Sequence, residues 1–329
     1  MNKLKKTGII IGAIAATIGA FWGVVNIIPP AKVTKENPWL TNETMIVAHR
    51  GGSTLNPENT EKAFDYVIIE TNYTDVVEID VLRTKDNVLV LHHDDSMDRM
   101  ALDEERSETT ITKDVVIKES NYEDLLQYNM GRNFVDRNKN QPYKDLTIEE
   151  AKEEKLIIMT LQQFLTKYQS YDIKLYLEIK EKDSSAIQTT DMVINDVLEL
   201  PEYAVWKERT MIISSNNAVI DHMAKNYPSY LTGCVGSKIA GQLATTTLRL
   251  TSLCTPNYHS FQTKMVNNIG PLKINTATKN IIEDAHKRNQ TVTFYTINNE
   301  EDMKTLIDLG ADAITTDCPD KLAKVLGKI

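Results

Sequence analysis

Residues that could carry out acid–base and phosphate chemistry are concentrated in segment 48–98 of the sequence. His49 is followed directly by an arginine, His93 is followed by an aspartate, and Glu78 and Asp80 stand between the two histidines. An imidazole titrates near neutrality, a guanidinium presents a planar fork of donors to phosphate oxygens, and carboxylates bind hard cations. This combination is suited to a site that binds a divalent cation, holds a phosphate and transfers a proton.

The paired acids are predicted to lie on one face of a buried strand. Glu78 and Asp80 stand two residues apart in the apolar run 76–82, and alternate residues of a strand share a face. A third acid, Glu178, occurs in a similar run two residues before Lys180. Buried like charges need a cation or a proton, so we expect the three acids to bind one ion. Oxygen ligands favour Mg²⁺ or Ca²⁺, and the alternative is an acid pair at a solvated strand end neutralised by nearby lysine or arginine.

The histidines and basic residues fit the same site. His49 and His93 each close a predicted strand at the rim where barrel enzymes place catalytic groups, which suits them to proton transfer. Strand parity alone does not decide whether His92 or His93 faces inward. Arg50 and Lys180 are candidate phosphate ligands, and the alternative for each is an ion pair with the acids. Together these residues indicate hydrolysis of a phosphodiester.

Composition is that of an ordinary globular protein with one large domain. The chain has 329 residues, 41% of them hydrophobic and 25% charged, and a formal net charge of −9. An acidic chain is not typical of a nucleic-acid binder, so no nucleic-acid partner is predicted. Three cysteines occur without a C-x-x-C motif, which argues against a zinc site or a disulfide framework. Cys234, Cys254 and Cys318 are expected to be small buried hydrophobes.

The N-terminus predicts a membrane anchor. Residues 7–28 contain no charged side chain, and about 20 apolar residues span a bilayer as a helix. Three lysines lie in residues 1–6, so these are expected in the cytoplasm, with 7–28 as an uncleaved signal anchor. The proline-containing segment 29–44 is expected to be a short stiff tether. The predicted location is therefore the cell membrane, single-pass, with the catalytic domain outside; a cleaved signal peptide is the alternative.

Strand and helix patterns alternate along the rest of the chain. Predicted strands cover residues 45–48, 76–82, 88–91, 175–179, 210–214, 292–296 and 313–316. Predicted helices cover residues 58–70, 186–198, 218–227, 277–288, 301–309 and a last helix from 319. No glycine-rich dinucleotide fingerprint and no P-loop occurs. Because the remaining length is close to the about 250 residues of a barrel, we predict a TIM-type (β/α)8 barrel over 45–329, preceded by one transmembrane helix.

A long polar stretch, residues 101–160, interrupts this alternation. A region of this length inside a compact domain is usually functional or mobile. It is interpreted either as a surface excursion packed on the barrel or as a cap in which Phe134 or Tyr143 touches substrate. The sequence does not separate these two interpretations.

Five short motifs occur in the order found in the glycerophosphodiester phosphodiesterase family, which this chain therefore resembles. They are His49-Arg50-Gly51-Gly52, Pro57-Glu58-Asn59-Thr60, Glu78-Ile79-Asp80, His93-Asp94 and Leu177-Glu178-Ile179-Lys180. The resemblance extends from about Met45 to the C-terminus. It implies a TIM-type barrel that cleaves a glycerophosphodiester to glycerol 3-phosphate and an alcohol.

The resemblance also implies roles for individual residues. It makes His49 and His93 the acid/base pair, in preference to His92, and it makes Arg50 and Lys180 the phosphate ligands. The implied metal ligands, for one Mg²⁺ or Ca²⁺ ion, are Glu78, Asp80 and Glu178. The implied supporting residues are Glu58, Asn59 and Tyr295. Tyr295 and Cys318 depart from the tryptophan and the aromatic residue that the family often carries there, and these departures bear on substrate preference.

Two other functions are compatible with this architecture. One is phospholipase D-type or lysophospholipase activity on lipids of the membrane to which the chain is attached. The other is a non-catalytic, membrane-anchored phosphodiester-binding module, which would be expected to lack ligands or histidines. Since none is missing, hydrolysis of small or polymeric glycerophosphodiesters is the favoured prediction.

Overall fold

A barrel of eight parallel strands forms the centre of the protein. The computed structural model describes residues 3–34, 36–41, 43–102, 114–269 and 272–329. The strands are β1 (Met45–Ala48), β2 (Val76–Arg83), β3 (Leu89–Leu91), β4 (Lys174–Ile179), β5 (Thr210–Ser214), β6 (Leu231–Cys234), β7 (Ser260–Thr263), β8 (Val266–Ile269), β9 (Leu272–Asn275), β10 (Thr291–Phe294) and β11 (Ala313–Thr316). Neighbours follow the order β1-β2-β4-β5-β6-β7-β10-β11, and β11 pairs with β1, which closes the barrel. The predicted TIM-type barrel is confirmed.

Three strands lie outside the closed barrel. β3, predicted as one of the strands in the alternating series, pairs antiparallel with β2 and extends the sheet outward. β8 and β9 form a separate antiparallel hairpin that follows β7. The sequence prediction missed β6 and β7, which complete the barrel.

Helices lie outside the barrel, and the first of them is exposed over most of its length. They are α1 (Lys3–Ile27), α2 (Glu61–Asp65), α3 (Asp98–Ala101), α4 (Tyr122–Leu125), α5 (Ile148–Glu153), α6 (Leu161–Tyr168), α7 (Ser185–Asp191), α8 (Ala204–Arg209), α9 (Asn217–Asn226), α10 (Ala240–Thr247), α11 (Lys279–Lys287), α12 (Glu300–Leu309) and α13 (Pro319–Val325). The predicted helices 58–70 and 186–198 correspond to α2 and α7, each continued by a π-helical turn. Side-chain caps fix several starts; Thr60 accepts from the backbone of Ala63, and Thr160 forms a capping box with Gln163.

A tryptophan closes the barrel at the N-terminal ends of its strands. Trp39 is 1% exposed and stacks on Tyr176 of β4, with ring centroids 5.2 Å apart. It belongs to a hydrophobic cluster with the first residues of β1 and β2, Met45 and Val76. Before it, the backbone amide of Val33 donates to the carbonyl of Arg288, just ahead of β10. The described residues of segment 29–44 therefore pack along this end of the barrel.

We expect Trp39→Ala to lower the free energy of unfolding by about 3–5 kcal/mol, because it empties a large, fully packed site. Equilibrium denaturant unfolding of the full chain measures this change. Val135→Ala, which truncates a half-exposed side chain, is the control and should change stability by no more than about 0.5 kcal/mol. A loss below about 1 kcal/mol for Trp39→Ala would show that Trp39 does not close the core.

The described part of stretch 101–160 packs on the barrel through a hydrophobic cluster of its own. Leu125 and Met130 contribute to this cluster, together with Leu82 and Val90 of the sheet. The ring centroids of Phe134 and Tyr143 lie 6.0 Å apart, so the two side chains contact each other. Residues 103–113 of the predicted insertion lie outside the described residues.

Helix α1 is long and apolar enough to cross a membrane between Ile9 and Ile27, a property that a signal sequence shares. Near its C-terminal end, Val25 is buried and accepts a hydrogen bond from Ser252 Oγ at 2.9 Å. Trp22 Nε1 donates to the carbonyl of Leu248 at 3.5 Å. All three cysteines are free thiols; Cys234 and Cys318 are buried as expected, whereas Cys254 is only partly buried.

Candidate active site

Three carboxylates converge at the carboxyl ends of two neighbouring strands. Glu78 and Asp80 lie on β2, and Glu178 lies directly opposite Asp80 on β4. One carboxylate oxygen from each residue lies within 4.8 Å of the others. The alternation of side chains along a strand accounts for the convergence, since it turns all three acids to the barrel interior. Three oxygen ligands at this spacing could hold one hard divalent cation.

Two carboxylate oxygens of this cluster have no hydrogen-bond donor. Glu78 and Asp80 are buried, and Glu78 Oε1 and Asp80 Oδ1 each lack a hydrogen-bond partner among the described residues. Their other oxygens accept hydrogen bonds from the backbone amide of Arg50 and from Asn59 Nδ2, both at 2.9 Å. A buried anionic oxygen without a hydrogen-bond donor is costly, and an ion pair with Lys180 Nζ at 3.3 Å compensates Asp80 Oδ1 only in part, so both oxygens fit a metal ion.

Two cationic side chains face the acids. Lys180 Nζ lies 3.3 Å from Asp80 Oδ1 and 3.2 Å from Glu178 Oε1. Arg50 Nε lies 3.3 Å from Asp80 Oδ2. The ion pairs that the sequence left as an alternative for Arg50 and Lys180 are therefore present, and they place positive charge beside the acids.

The three acids differ in their affinity for protons. Burial raises the pKa of Glu78 well above its ordinary value, and the neighbouring carboxylates of Asp80 and Glu178 add to this rise. Burial also raises the pKa of Glu178. Burial opposes ionisation of Asp80 as well, but Lys180 and Arg50 outweigh it and lower the pKa of Asp80. The cluster thus carries unfavourable negative charge that a cation would relieve.

The turn after β1 aims Arg50 at the acids. Arg50 has φ 53° and Gly51 has φ 82°, both in the left-handed region that favours glycine. A Cβ on Gly51 would lie 2.9 Å from Ala63 Cβ, so only glycine lets the turn pack on α2. Glu58 then fixes the guanidinium, since Arg50 Nη1 donates to Glu58 Oε1 at 2.9 Å. The supporting residue Asn59 accepts from the backbone amide of Asp80 in addition to bonding its carboxylate.

Each candidate histidine is held by an aspartate. His49 follows β1, and its Nδ1 lies 2.6 Å from Asp317 Oδ1 at the end of β11. Asp317 also accepts from Ser53 Oγ and Asn298 Nδ2, both at 2.7 Å. Burial raises the pKa of Asp317, but the hydrogen bond and the charge of His49 outweigh burial, so the pKa lies below its ordinary value. This carboxylate is therefore ionised at neutral pH. With Nδ1 engaged, Nε2 is the atom of His49 that is available for proton exchange.

A parallel arrangement holds the second histidine. His93 Nδ1 lies 2.6 Å from Asp94 Oδ1. Arg99 links this pair to Glu58, the hydrogen-bond partner of Arg50. Its Nε donates to Asp94 Oδ2 at 2.5 Å, and its Nη2 donates to Glu58 Oε1 at 2.6 Å. Hydrogen bonds from His93 and Arg99 lower the pKa of Asp94. His92, by contrast, is buried, and its Nδ1 accepts from the backbone amide of Asp94.

A cavity of about 620 Å³ lies at the carboxyl ends of the strands. The charged and imidazole groups on its wall are His49, Arg50, Glu78, His93, Glu178, Lys180 and Lys264. The apolar and aromatic part of the wall is formed by Tyr176, Ile213, Val235, Met265, Tyr295 and Ile297. Burial raises the pKa of Tyr295 to about 12, so its hydroxyl is a neutral donor at the wall. Phe134 and Tyr143 do not line this cavity.

Sequence reasoning missed three polar groups of the site. Asp317 directly follows a predicted strand, a position that could have identified it. Lys264 stands at the end of β7, a strand that was not predicted. Arg99 contacts Glu58 and Asp94 because the fold brings them together, and no local sequence pattern indicates these two contacts.

Comparison with known proteins identifies the family. The sequence profile of the Glycerophosphoryl diester phosphodiesterase family matches residues 49–321. The chain belongs to this family. It is therefore a phosphoric diester hydrolase, as are its named relatives. The Glycerophosphodiester phosphodiesterase of Bacillus altitudinis is 24% identical over 86% of this chain and 98% of its own length. That of Caldanaerobacter subterraneus subsp. tengcongensis is 26% identical over 87% of this chain and 99% of its own.

Solved structures of the family share the fold. A glycerophosphodiester phosphodiesterase from Agrobacterium tumefaciens superposes with a TM-score of 0.58 at 16% identity, covering 85% of this chain and 99% of that one. A phosphodiesterase from Oleispira antarctica, solved with the product sn-glycerol-3-phosphate, has a TM-score of 0.60 at 19% identity and covers 87% and 97% of the two chains. The barrel of this chain is thus the barrel of the glycerophosphodiester phosphodiesterases.

Proposed function

We propose that this chain hydrolyses glycerophosphodiesters to glycerol 3-phosphate and an alcohol, with His49 and His93 as the acid/base pair and one Mg²⁺ or Ca²⁺ ion at the carboxylates. The observation that carries the proposal is a cavity lined by two cationic side chains, two aspartate-held histidines and two acids, Glu78 and Glu178, which form a cluster with the buried Asp80. The product bound to the Oleispira antarctica structure supports glycerol 3-phosphate as the product here.

Glu78, Asp80 and Glu178 would hold the cation. When bound, a divalent cation polarises a phosphate oxygen and neutralises charge that develops on the phosphate. Arg50 and Lys180 contribute fixed positive charge beside it. Because both are already positioned by ion pairs with the acids and Glu58, they need little reorganisation when the phosphate enters.

The two histidines divide the proton transfers. One imidazole accepts the proton of the substrate's glycerol 2-hydroxyl, which attacks the phosphorus, and the other donates a proton to the leaving alcohol. Water then opens the resulting cyclic phosphate to give glycerol 3-phosphate. The Nδ1 atom of each is held by a carboxylate, Asp317 for His49 and Asp94 for His93, so both act through Nε2. The aspartates stabilise the protonated imidazoles and keep the rings in the orientation that proton transfer needs.

We also propose that α1 anchors the protein in the cell membrane with the barrel outside the cytoplasm. The length and apolar character of the helix support this proposal, as do the three lysines that precede its apolar span Ile9–Ile27. The substrate is then a small or polymeric glycerophosphodiester outside the cytoplasm.

The activity is tested with the purified full chain in detergent. Glycerophosphocholine is added with Mg²⁺ or Ca²⁺, and the release of sn-glycerol-3-phosphate is followed by a coupled assay. We expect release that depends on the protein and on the cation. No release with either ion, from protein whose unfolding transition is cooperative, would contradict the proposed function.

Asp317→Asn is expected to lower kcat, because it removes the charge that orients His49. The decrease should not exceed the contribution of a general acid or base, which is about 10²- to 10⁴-fold. The measurement is the pH profile of kcat and kcat/KM for glycerophosphocholine. Ser53→Ala removes a different hydrogen bond to the same carboxylate and is the matched control. An Asp317→Asn enzyme with the activity and profile of the Ser53→Ala enzyme would exclude this role.

A further inference from the structure

The membrane-facing segments and the active site lie at opposite ends of the barrel. The cavity opens where the strands end, because His49 follows β1 and Lys180 follows β4. The chain between α1 and β1 instead packs where the strands begin. Asn37 Nδ2 donates to the carbonyls of His259 and Asn289, which immediately precede β7 and β10.

Helix α1 contacts the same end. Helix α10 returns from the carboxyl end of β6, so residues 248–253, which follow it, lie at the beginning of β7. In this segment, the carbonyl of Leu248 accepts a hydrogen bond from Trp22 Nε1, and Ser252 Oγ donates to the carbonyl of Val25 near the end of α1. Only five residues separate Ile27 from Val33, whose amide is bonded to the barrel, so the six residue steps between them span at most about 22 Å. The barrel cannot turn its cavity toward a membrane that contains α1 without breaking these contacts.

The surface beside α1 is suited to a lipid surface. Leu248 is 62% exposed and Leu253 is 55% exposed, and both flank the contact with α1. Single exposed leucines are ordinary, but these two stand within one short segment next to an apolar helix. Exposed basic residues, Lys32 and Arg249, accompany them and would be attracted to anionic headgroups.

From these contacts we propose that the barrel rests on the bilayer through this face, defined by Lys32, Leu248, Arg249 and Leu253, with its active site directed into the aqueous phase. The substrate class is then a water-borne or polymeric phosphodiester and not a lipid in the membrane that holds α1. This inference rests on the proposed function and on the proposed anchor. It deepens both, since it selects among the substrates that the site could accept.

The orientation is tested with the full chain in liposomes that contain nitroxide-labelled lipids. An environment-sensitive fluorophore is attached to Leu253→Cys or, as the matched control, to Val135→Cys, in a background with Cys254→Ser. Val135 is also half-exposed, and two residues later Arg137 pairs with Asp320 and Thr54 at the carboxyl end of the barrel. We expect several-fold stronger quenching at position 253 than at position 135. Equal quenching, stronger quenching at 135, or quenching at neither position would overturn the proposal.

The same liposomes provide an activity readout. They contain lysophosphatidylcholine in the bilayer, and glycerophosphocholine is added from outside. Faster hydrolysis of the added diester is expected, and equal or faster hydrolysis of the embedded lysolipid would overturn the inferred substrate class. Failure to hydrolyse either compound would contradict the proposed function, whereas the quenching result reports on orientation independently of activity.

Discussion

A His93→Asn enzyme is expected to turn over glycerophosphocholine about 10²- to 10⁴-fold more slowly than the wild type, and so is a His49→Asn enzyme, because each loses one of the two proton transfers. Asparagine retains a hydrogen-bonding side chain of similar reach but does not titrate. The measurement is kcat and kcat/KM under single-turnover and steady-state conditions. The double variant should be far less impaired than the product of the two single effects, since the histidines act as a unit.

His222→Asn is the matched control for both variants. His222 is also partly exposed and lies 2.6 Å from an aspartate, Asp191, but it is on helix α9 outside the cavity. We expect this variant to retain wild-type activity. If the His49→Asn or the His93→Asn enzyme were as active as the His222→Asn enzyme, the substituted histidine would be excluded from proton transfer.

Asp80→Asn is expected to reduce kcat/KM on the order of 10³-fold, since metal-ion catalysis supplies several kcal/mol and each 1.36 kcal/mol corresponds to a factor of ten. Asp80 contacts Lys180, Arg50 and Asn59, so the substitution also removes the charge that positions both proposed phosphate ligands. Glu178→Gln should act in the same direction. The measurement is kcat/KM over a range of Mg²⁺ and Ca²⁺ concentrations.

Glu181→Gln is the control for the acidic cluster. Glu181 is another buried glutamate three residues beyond Glu178, but it accepts hydrogen bonds from Thr189 and the backbone of Arg83 and does not line the cavity. Its substitution is expected to leave the metal dependence unchanged. An Asp80→Asn enzyme with the metal dependence and activity of Glu181→Gln would rule out a catalytic metal at this cluster.

The acid cluster could be predicted from the sequence because strand geometry is simple. In the run around Glu78 and Asp80, apolar residues alternate with the acids, and the period of two places both carboxylates on the inner face. The same rule places Glu178 and Lys180 together. The sequence does not encode that β2 and β4 are neighbours, and this pairing is what brings Asp80 opposite Glu178.

Two barrel strands were missed because their inward residues are polar or small. β7 buries Ser260, Gln262 and Thr263, so it lacks the apolar pattern of a buried strand. β6 contains Gly233, whose Cβ would lie 2.7 Å from Ile213 Cγ2 and 2.8 Å from Gln262 Nε2. These strands carry small or polar residues because large side chains from their neighbours fill the barrel interior, a constraint that is visible only in three dimensions.

The burial of Trp39 could not be predicted from the sequence either. It stands in a polar, proline-containing segment that predicted only a tether, and a single tryptophan there has no periodic context. Its position is set by the open end of the barrel and by stacking on Tyr176, which also lines the active-site cavity. The tether segment therefore contributes to the core beneath the site.

The central claim is that Glu78, Asp80 and Glu178 together bind one divalent cation, and calorimetric titration of chelator-treated full chain with Mg²⁺ and Ca²⁺ tests it most directly. The wild type and Glu181→Gln should each bind one ion per chain, and binding should restore hydrolysis of glycerophosphocholine. Asp80→Asn and Glu178→Gln should bind far more weakly. Full hydrolysis by the chelator-treated protein, or equal metal binding by the wild type and the Asp80→Asn and Glu178→Gln variants, would contradict the account.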